Sequence, residues 1–92
     1  GIVSALEDGL FSGNIEVYPN PSVGNFQIKI SKSKYTSIDA SVYDLNGKFI
    51  QSYSTNQFNG LIDINLDKYS KGSYLLILEA DGQKAVRKLI KQ

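Results

Sequence analysis

After residue 14, short runs in which apolar and polar side chains alternate account for most of the chain. Ile15 and Val17 flank Glu16. Phe26, Ile28 and Ile30 alternate with Gln27 and Lys29; Ile38, Ala40 and Val42 with Asp39, Ser41 and Tyr43; Ile62, Ile64 and Leu66 with Asp63 and Asn65. A period of two sends successive side chains to opposite faces, so each run reads as a strand with one buried and one wet side. Tyr74-Leu75-Leu76-Ile77-Leu78 is apolar at both parities, the pattern expected of a central strand. Val86, Leu89 and Ile90 form a last, less regular run.

Turn signals separate the runs. Asn46-Gly47, Asn59-Gly60 and Asp81-Gly82 suit the two consecutive positive-φ positions of a tight hairpin, and Ser31-Lys32-Ser33-Lys34 is a polar loop. Both prolines stand in Tyr18-Pro19-Asn20-Pro21. Each fixes φ near −65°, removes an N–H and biases the residue before it toward an extended backbone. Asn20 can cap a turn. This stretch therefore reads as a stiff corner between two strands. The pattern as a whole predicts an all-β fold, an immunoglobulin-like antiparallel β-sandwich of about seven strands. Gly72-Ser73-Tyr74 stands where a loop meets the most apolar strand. Tyr74 is either the tyrosine corner of such sandwiches or a half-buried strand residue. Residues 1–13 carry no sustained period, and Gly9 and Gly13 weaken the helical spacing of Ile2, Leu6 and Leu10. They read as a linker, with residues 14–92 as the folded domain.

Ninety-two residues bury roughly 60–65% of the unfolded surface, enough for one core but not for a cleft between two lobes. The chain has no Cys, no Met, no Trp and no His, so thiolate nucleophiles, imidazole bases and the usual zinc ligands are absent. Its net charge of +1 supplies no field for nucleic acid or membranes. No apolar run is long enough to span a bilayer as a helix. The acids are spread over polar strand faces and turns, with no spacing that marks a catalytic pair. Asp44 and Asn46 resemble the start of a calcium loop, but Lys48 occupies the next ligand position. Asp44-Leu45-Asn46-Gly47 therefore reads as a hairpin turn. The six tyrosines are scattered rather than gathered on one carbohydrate-stacking face. No enzyme activity, metal, cofactor, nucleic acid or small-molecule substrate is expected.

The charge pattern has one concentration. Lys84, Arg87, Lys88 and Lys91 have no acid among them, with Lys84 and Lys88 at one strand parity and Arg87 and Lys91 at the other. They are either the charged edge of a sheet, which discourages aggregation, or a basic address read by an acidic groove.

Four segments, in this order and spacing, carry a resemblance. They are Tyr18-Pro19-Asn20-Pro21-x-x-Gly24-x-Phe26, Val42-Tyr43-Asp44-Leu45-Asn46-Gly47-Lys48, Leu66-x(5)-Gly72-x-Tyr74-Leu75-Leu76 and Lys88-Leu89-Ile90-Lys91-Gln92. Together they resemble the type A C-terminal sorting domain of the type IX secretion system of Bacteroidetes. The resemblance implies a non-enzymatic signal domain that directs a covalently linked N-terminal cargo across the outer membrane. Periplasmic shuttle components and the outer-membrane translocon are the implied partners, with transit through the periplasm to the cell surface or medium. A cell-surface sortase-like cysteine protease commonly removes such domains. By position, the resemblance assigns recognition to Pro19, Asn20, Pro21 and Gly24; to Tyr43, Asp44 and Gly47; to Gly72 and Tyr74; and to Lys84, Arg87, Lys88 and Lys91. It places cleavage within Leu10, Phe11, Ser12, Gly13 and Asn14. A fibronectin type III-like adhesive module and a carbohydrate-binding module are the alternatives.

Overall fold

A computed structural model describes residues 15–31 and 35–92. Its seven strands are β1 (Ile15–Tyr18), β2 (Asn25–Ile30), β3 (Ile38–Asp44), β4 (Phe49–Thr55), β5 (Leu61–Asn65), β6 (Gly72–Ala80) and β7 (Gln83–Lys91). They form a three-stranded sheet in the order β1-β2-β5 and a four-stranded sheet in the order β4-β3-β6-β7, all paired antiparallel. The two sheets bury one core, as expected of an immunoglobulin-like sandwich, with β4 on the larger sheet. Phe26, Ile28, Ile38, Val42, Ile62, Leu66, Leu76, Leu78 and Leu89 are fully enclosed. Each comes from one parity of its run or from a strand end, so alternation translates directly into burial.

Four local features depart from the expected pattern. β4 has no alternating apolar run; it is a polar edge strand, and Tyr53 on its core side remains 44% exposed. β6 is internal, between β3 and β7, but Leu75 and Ile77 on its outer side are only half-buried and no layer covers them among the described residues. In β7 the buried residues are Ala85 and Leu89, whereas Val86 and Ile90 face outward. Finally, only Asp81-Gly82 has both residues at positive φ, 53° and 81°, as a two-residue hairpin requires. In the other two pairs only the glycine does. The Asp44–Gly47 turn closes instead through Gly47 N–H donating to the Asp44 carbonyl at 3.1 Å, and the β3–β4 register slips at Val42/Tyr43.

Tyr74 is a tyrosine corner. Its ring is buried, and its hydroxyl donates to the Ser70 carbonyl four residues upstream at 2.5 Å. This bond ties the β5–β6 loop to the first turn of pleat in β6 and satisfies a phenol that would otherwise be buried without a partner.

Candidate functional site

The corner between β1 and β2 does not stand free. Its peptide bonds Tyr18–Pro19 and Asn20–Pro21 are both cis, and its Asn20 side chain lies along the outer edge of β7. Asn20 Nδ2 donates to the Lys88 carbonyl at 2.8 Å, and Asn20 Oδ1 accepts from Ile90 N–H at 3.0 Å. An amide side chain has a donor and an acceptor side by side, so here it copies the two bonds that a neighbouring strand would make. Two residues on, Ser22 N–H donates to the Ile90 carbonyl at 2.9 Å and Gln92 N–H to the Ser22 carbonyl at 2.8 Å. Asn20 and Ser22 together close the C-terminal half of an edge that would otherwise expose its backbone.

Ser22 was not singled out in the sequence. It is the buried polar residue at the centre of the clamp, 4% exposed. Its hydroxyl donates to the Asn25 carbonyl at 2.6 Å and accepts from Gly24 N–H at 3.1 Å. Its position directly after the Pro-Asn-Pro corner was the available signal. Gly24 sits close under Asp67: a Cβ there would lie 1.9 Å from Asp67 Oδ1 and 3.1 Å from Asp67 Cγ, so a larger residue would have to displace that carboxylate. The Gly24 carbonyl in turn accepts from Leu66 N–H at 2.7 Å.

The other motif residues gather at the same end of the sandwich, where Asp44 pairs with Tyr74 and Gly72 with Lys91. Asp44 Oδ1 accepts from the N–H groups of Asn46 and Lys48, each at 2.9 Å, which spends the carboxylate on the turn. Gly72 has φ +143°, a backbone that side-chain-bearing residues rarely adopt. Tyr43 lies on the outer face, edge-to-face with Phe49 at 5.8 Å between centroids. A recess of about 330 Å³ between this turn and the β5–β6 loop is lined by Asp44, Lys48, Tyr69 and Lys71 among others.

The four cations divide by role. Lys91 Nζ donates to the carbonyls of Asp67 at 3.1 Å and Tyr69 at 2.5 Å, capping the β5–β6 loop. Arg87 lies half-buried on the core side of β7, and its Nη1 donates to the Val86 carbonyl at 2.7 Å. Lys84 and Lys88 project from the opposite face, exposed, four residues or about 13 Å apart along the strand. Beside them runs an apolar band of Leu75, Ile77, Val86 and Ile90, with Val86 and Ile90 40% and 37% exposed. The segment Leu10–Asn14, assigned to cleavage, and the linker 1–13 lie outside the described residues.

Asn20→Asp tests the clamp. The change keeps the shape, removes the donor and turns a carboxylate oxygen toward the Lys88 carbonyl. It is expected to cost about 1–2 kcal/mol, more than Asn20→Ala, because the alanine loses the two bonds without adding repulsion. Thermal unfolding of both variants measures this, and an unchanged midpoint for Asn20→Asp is the outcome the geometry forbids.

No curated protein matches the chain. The family described as the secretion system C-terminal sorting domain matches residues 16–92, from β1 to the end of the clamp. The match takes in all seven strands apart from Ile15 and every described residue of the four segments. The chain therefore belongs to the C-terminal sorting domains of type IX secretion.

Proposed function

We propose that this domain is recognised as a folded body, through the outer face of β7, and that most of its motif residues build that face rather than contact a receptor. As a type IX sorting domain it works with the secretion machinery and takes attached cargo across the outer membrane to the cell surface or beyond. The family is one of sorting signals, not of enzymes. The finer reading is ours: residues 14–92 are the address, β7 docks on periplasmic shuttle components and then on the translocon, and the domain performs no catalysis. The observation that carries the reading is the division of labour in β7. Asn20 and Ser22 hold its backbone, Lys91 holds a loop, and only Lys84 and Lys88 present exposed cations beside an apolar band. Such a surface fits a partner with an apolar centre and acidic flanks, where the charges speed encounter and the apolar contact supplies duration.

Removal of the domain fits the same layout. Leu10, Phe11, Ser12, Gly13 and Asn14 precede β1, so a cut there by a sortase-like cysteine protease spares all seven strands of the described residues. The test is fusion of residues 1–92 behind a reporter bearing an export signal, in a bacterium with a type IX system. The reporter should reach the surface or medium with the domain and remain periplasmic without it. Periplasmic retention of a reporter whose fused domain is folded contradicts the reading.

A further inference from the structure

The sandwich has four sheet edges, and three of them are guarded. β7 carries Lys84 and Lys88 and is closed at one end by Asn20 and Ser22. β1 is four residues long and contains Glu16. β5 is five residues long, contains Asp63, and receives Gln51 Nε2 on the Asn65 carbonyl at 3.1 Å. β4 differs: its seven residues, Phe49-Ile50-Gln51-Ser52-Tyr53-Ser54-Thr55, include no charge and no proline. Natural sheets place Lys, Pro or a cover on an edge because unpaired backbone groups recruit further strands.

The backbone direction along β4 follows from its pairing. Asp44 N–H donates to the Lys48 carbonyl, so Asp44, Val42, Ala40 and Ile38 turn their backbone groups toward β4. Their partners Gln51, Tyr53 and Thr55 turn inward in return. Ser52 and Ser54 therefore point their N–H and C=O groups away from the sheet. At the turn end, the Tyr69 hydroxyl approaches the Ile50 carbonyl at 3.4 Å, which leaves the stretch from Gln51 to Thr55 open among the described residues.

We infer that β4 is a self-association edge, and that its occupant is β4 of a second copy of this chain. Antiparallel pairing about a two-fold axis at Tyr53 sets Ser52 opposite Ser54 of the other copy, twice. Both residues point outward, so each of these pairs exchanges two N–H···O=C bonds, four in all. Tyr53 then faces its own counterpart in the close, non-hydrogen-bonded position, and the two half-exposed rings cover each other. A two-fold axis places identical residues near one another, so a charged edge would repel itself; β4 has none to repel. The result is a continuous eight-stranded sheet. Four backbone bonds and one aromatic pair make a small interface, with a dissociation constant of about 0.1–1 mM. That strength lets a sorting domain pair where local concentration is high and separate again for passage.

Sedimentation equilibrium of the 92-residue chain over a concentration series tests this, with amide exchange as a second readout. The average mass should rise from 10.2 kDa toward twice that value, and the amides of Ser52 and Ser54 should gain protection as it does. Ser52→Pro removes an N–H that points away from the sheet and makes no bond among the described residues, so it should hold the mass at 10.2 kDa without lowering the unfolding midpoint. Tyr53→Lys keeps the backbone and sets two like charges face to face; it should also abolish the rise. A mass that stays at 10.2 kDa up to about 1 mM overturns the proposal. So does a dimer that persists in the folded Ser52→Pro or Tyr53→Lys chain.

Discussion

Removing residues 84–92 is expected to leave no cooperatively folded domain. β7 pairs with β6 at nine positions, from Gly72–Lys91 to Ala80–Gln83, and among the described residues it is the only strand on that side of β6. Its Ala85 and Leu89 are fully buried in the common core. Burial of a leucine side chain contributes about 1.5–3 kcal/mol, and removing Leu89 also leaves a gap beside Tyr74, its partner on β6. The truncation also frees Asn20 and Ser22 of their partners and uncaps the carbonyls of Asp67 and Tyr69, which Lys91 holds. These losses fall on a domain whose whole stability is of order 5–15 kcal/mol. Circular dichroism of the truncated chain should show no sigmoidal transition in urea; a transition like that of the full chain contradicts this. Failed export of such a truncation thus reports unfolding as much as loss of an address, and only substitutions that spare the fold separate the two.

The strands that were legible in the sequence are those with one face in the core. Phe26-Gln27-Ile28-Lys29-Ile30 and Ile62-Asp63-Ile64 alternate because burial on one side and water on the other select opposite residue types. β4 left no such trace, since neither of its faces is deeply covered and its apolar and polar residues do not alternate. In β7 the branched residues Val86 and Ile90 drew attention while the smaller Ala85 took the buried place, because the space beneath an edge strand is shallow. The run from Tyr74 to Leu78 was apolar at both parities without being covered on both faces; the half-exposed side belongs to the band beside Lys84 and Lys88.

For the site, the motif positions were legible and their roles were not. Asn20 and Pro21 suggested a surface to be read, and the sequence held nothing to say that Asn20 bonds to residues 68 and 70 positions away. Pairing across the sandwich is a tertiary fact. The same holds for Lys91, which in the sequence is one of four similar cations and in the fold is the cap of a loop. Gly24 entered as a motif position assigned to recognition, and in the fold it lies directly beneath the Asp67 side chain. The clamp joins two stretches that are far apart in the sequence, the proline corner and the basic strand: Asn20 and Ser22 hold the edge of β7, and under our proposal its exposed face meets the receptor.

The second large effect is expected from that face. Lys84 and Lys88 are exposed, and their side chains contribute little to stability, because exposed charges in water are worth at most about 1 kcal/mol each. Lys84 stands beside Glu79 across the strands, so reversing its charge would set two acids together; Lys84→Gln avoids this. Lys88 stands beside Leu75, and Lys88→Glu brings no such clash. The double variant removes three units of positive charge from the face without touching Asn20, Ser22 or Lys91. An acidic receptor that relies on these cations for encounter loses roughly tenfold or more in association rate. The deciding measurement is the surface-displayed fraction of a reporter fused to residues 1–92, with and without Lys84→Gln/Lys88→Glu, in cells where both fusions unfold at the same urea midpoint once purified. Display should fall by about tenfold in the double variant. Equal display at equal stability would contradict recognition through the outer face of β7.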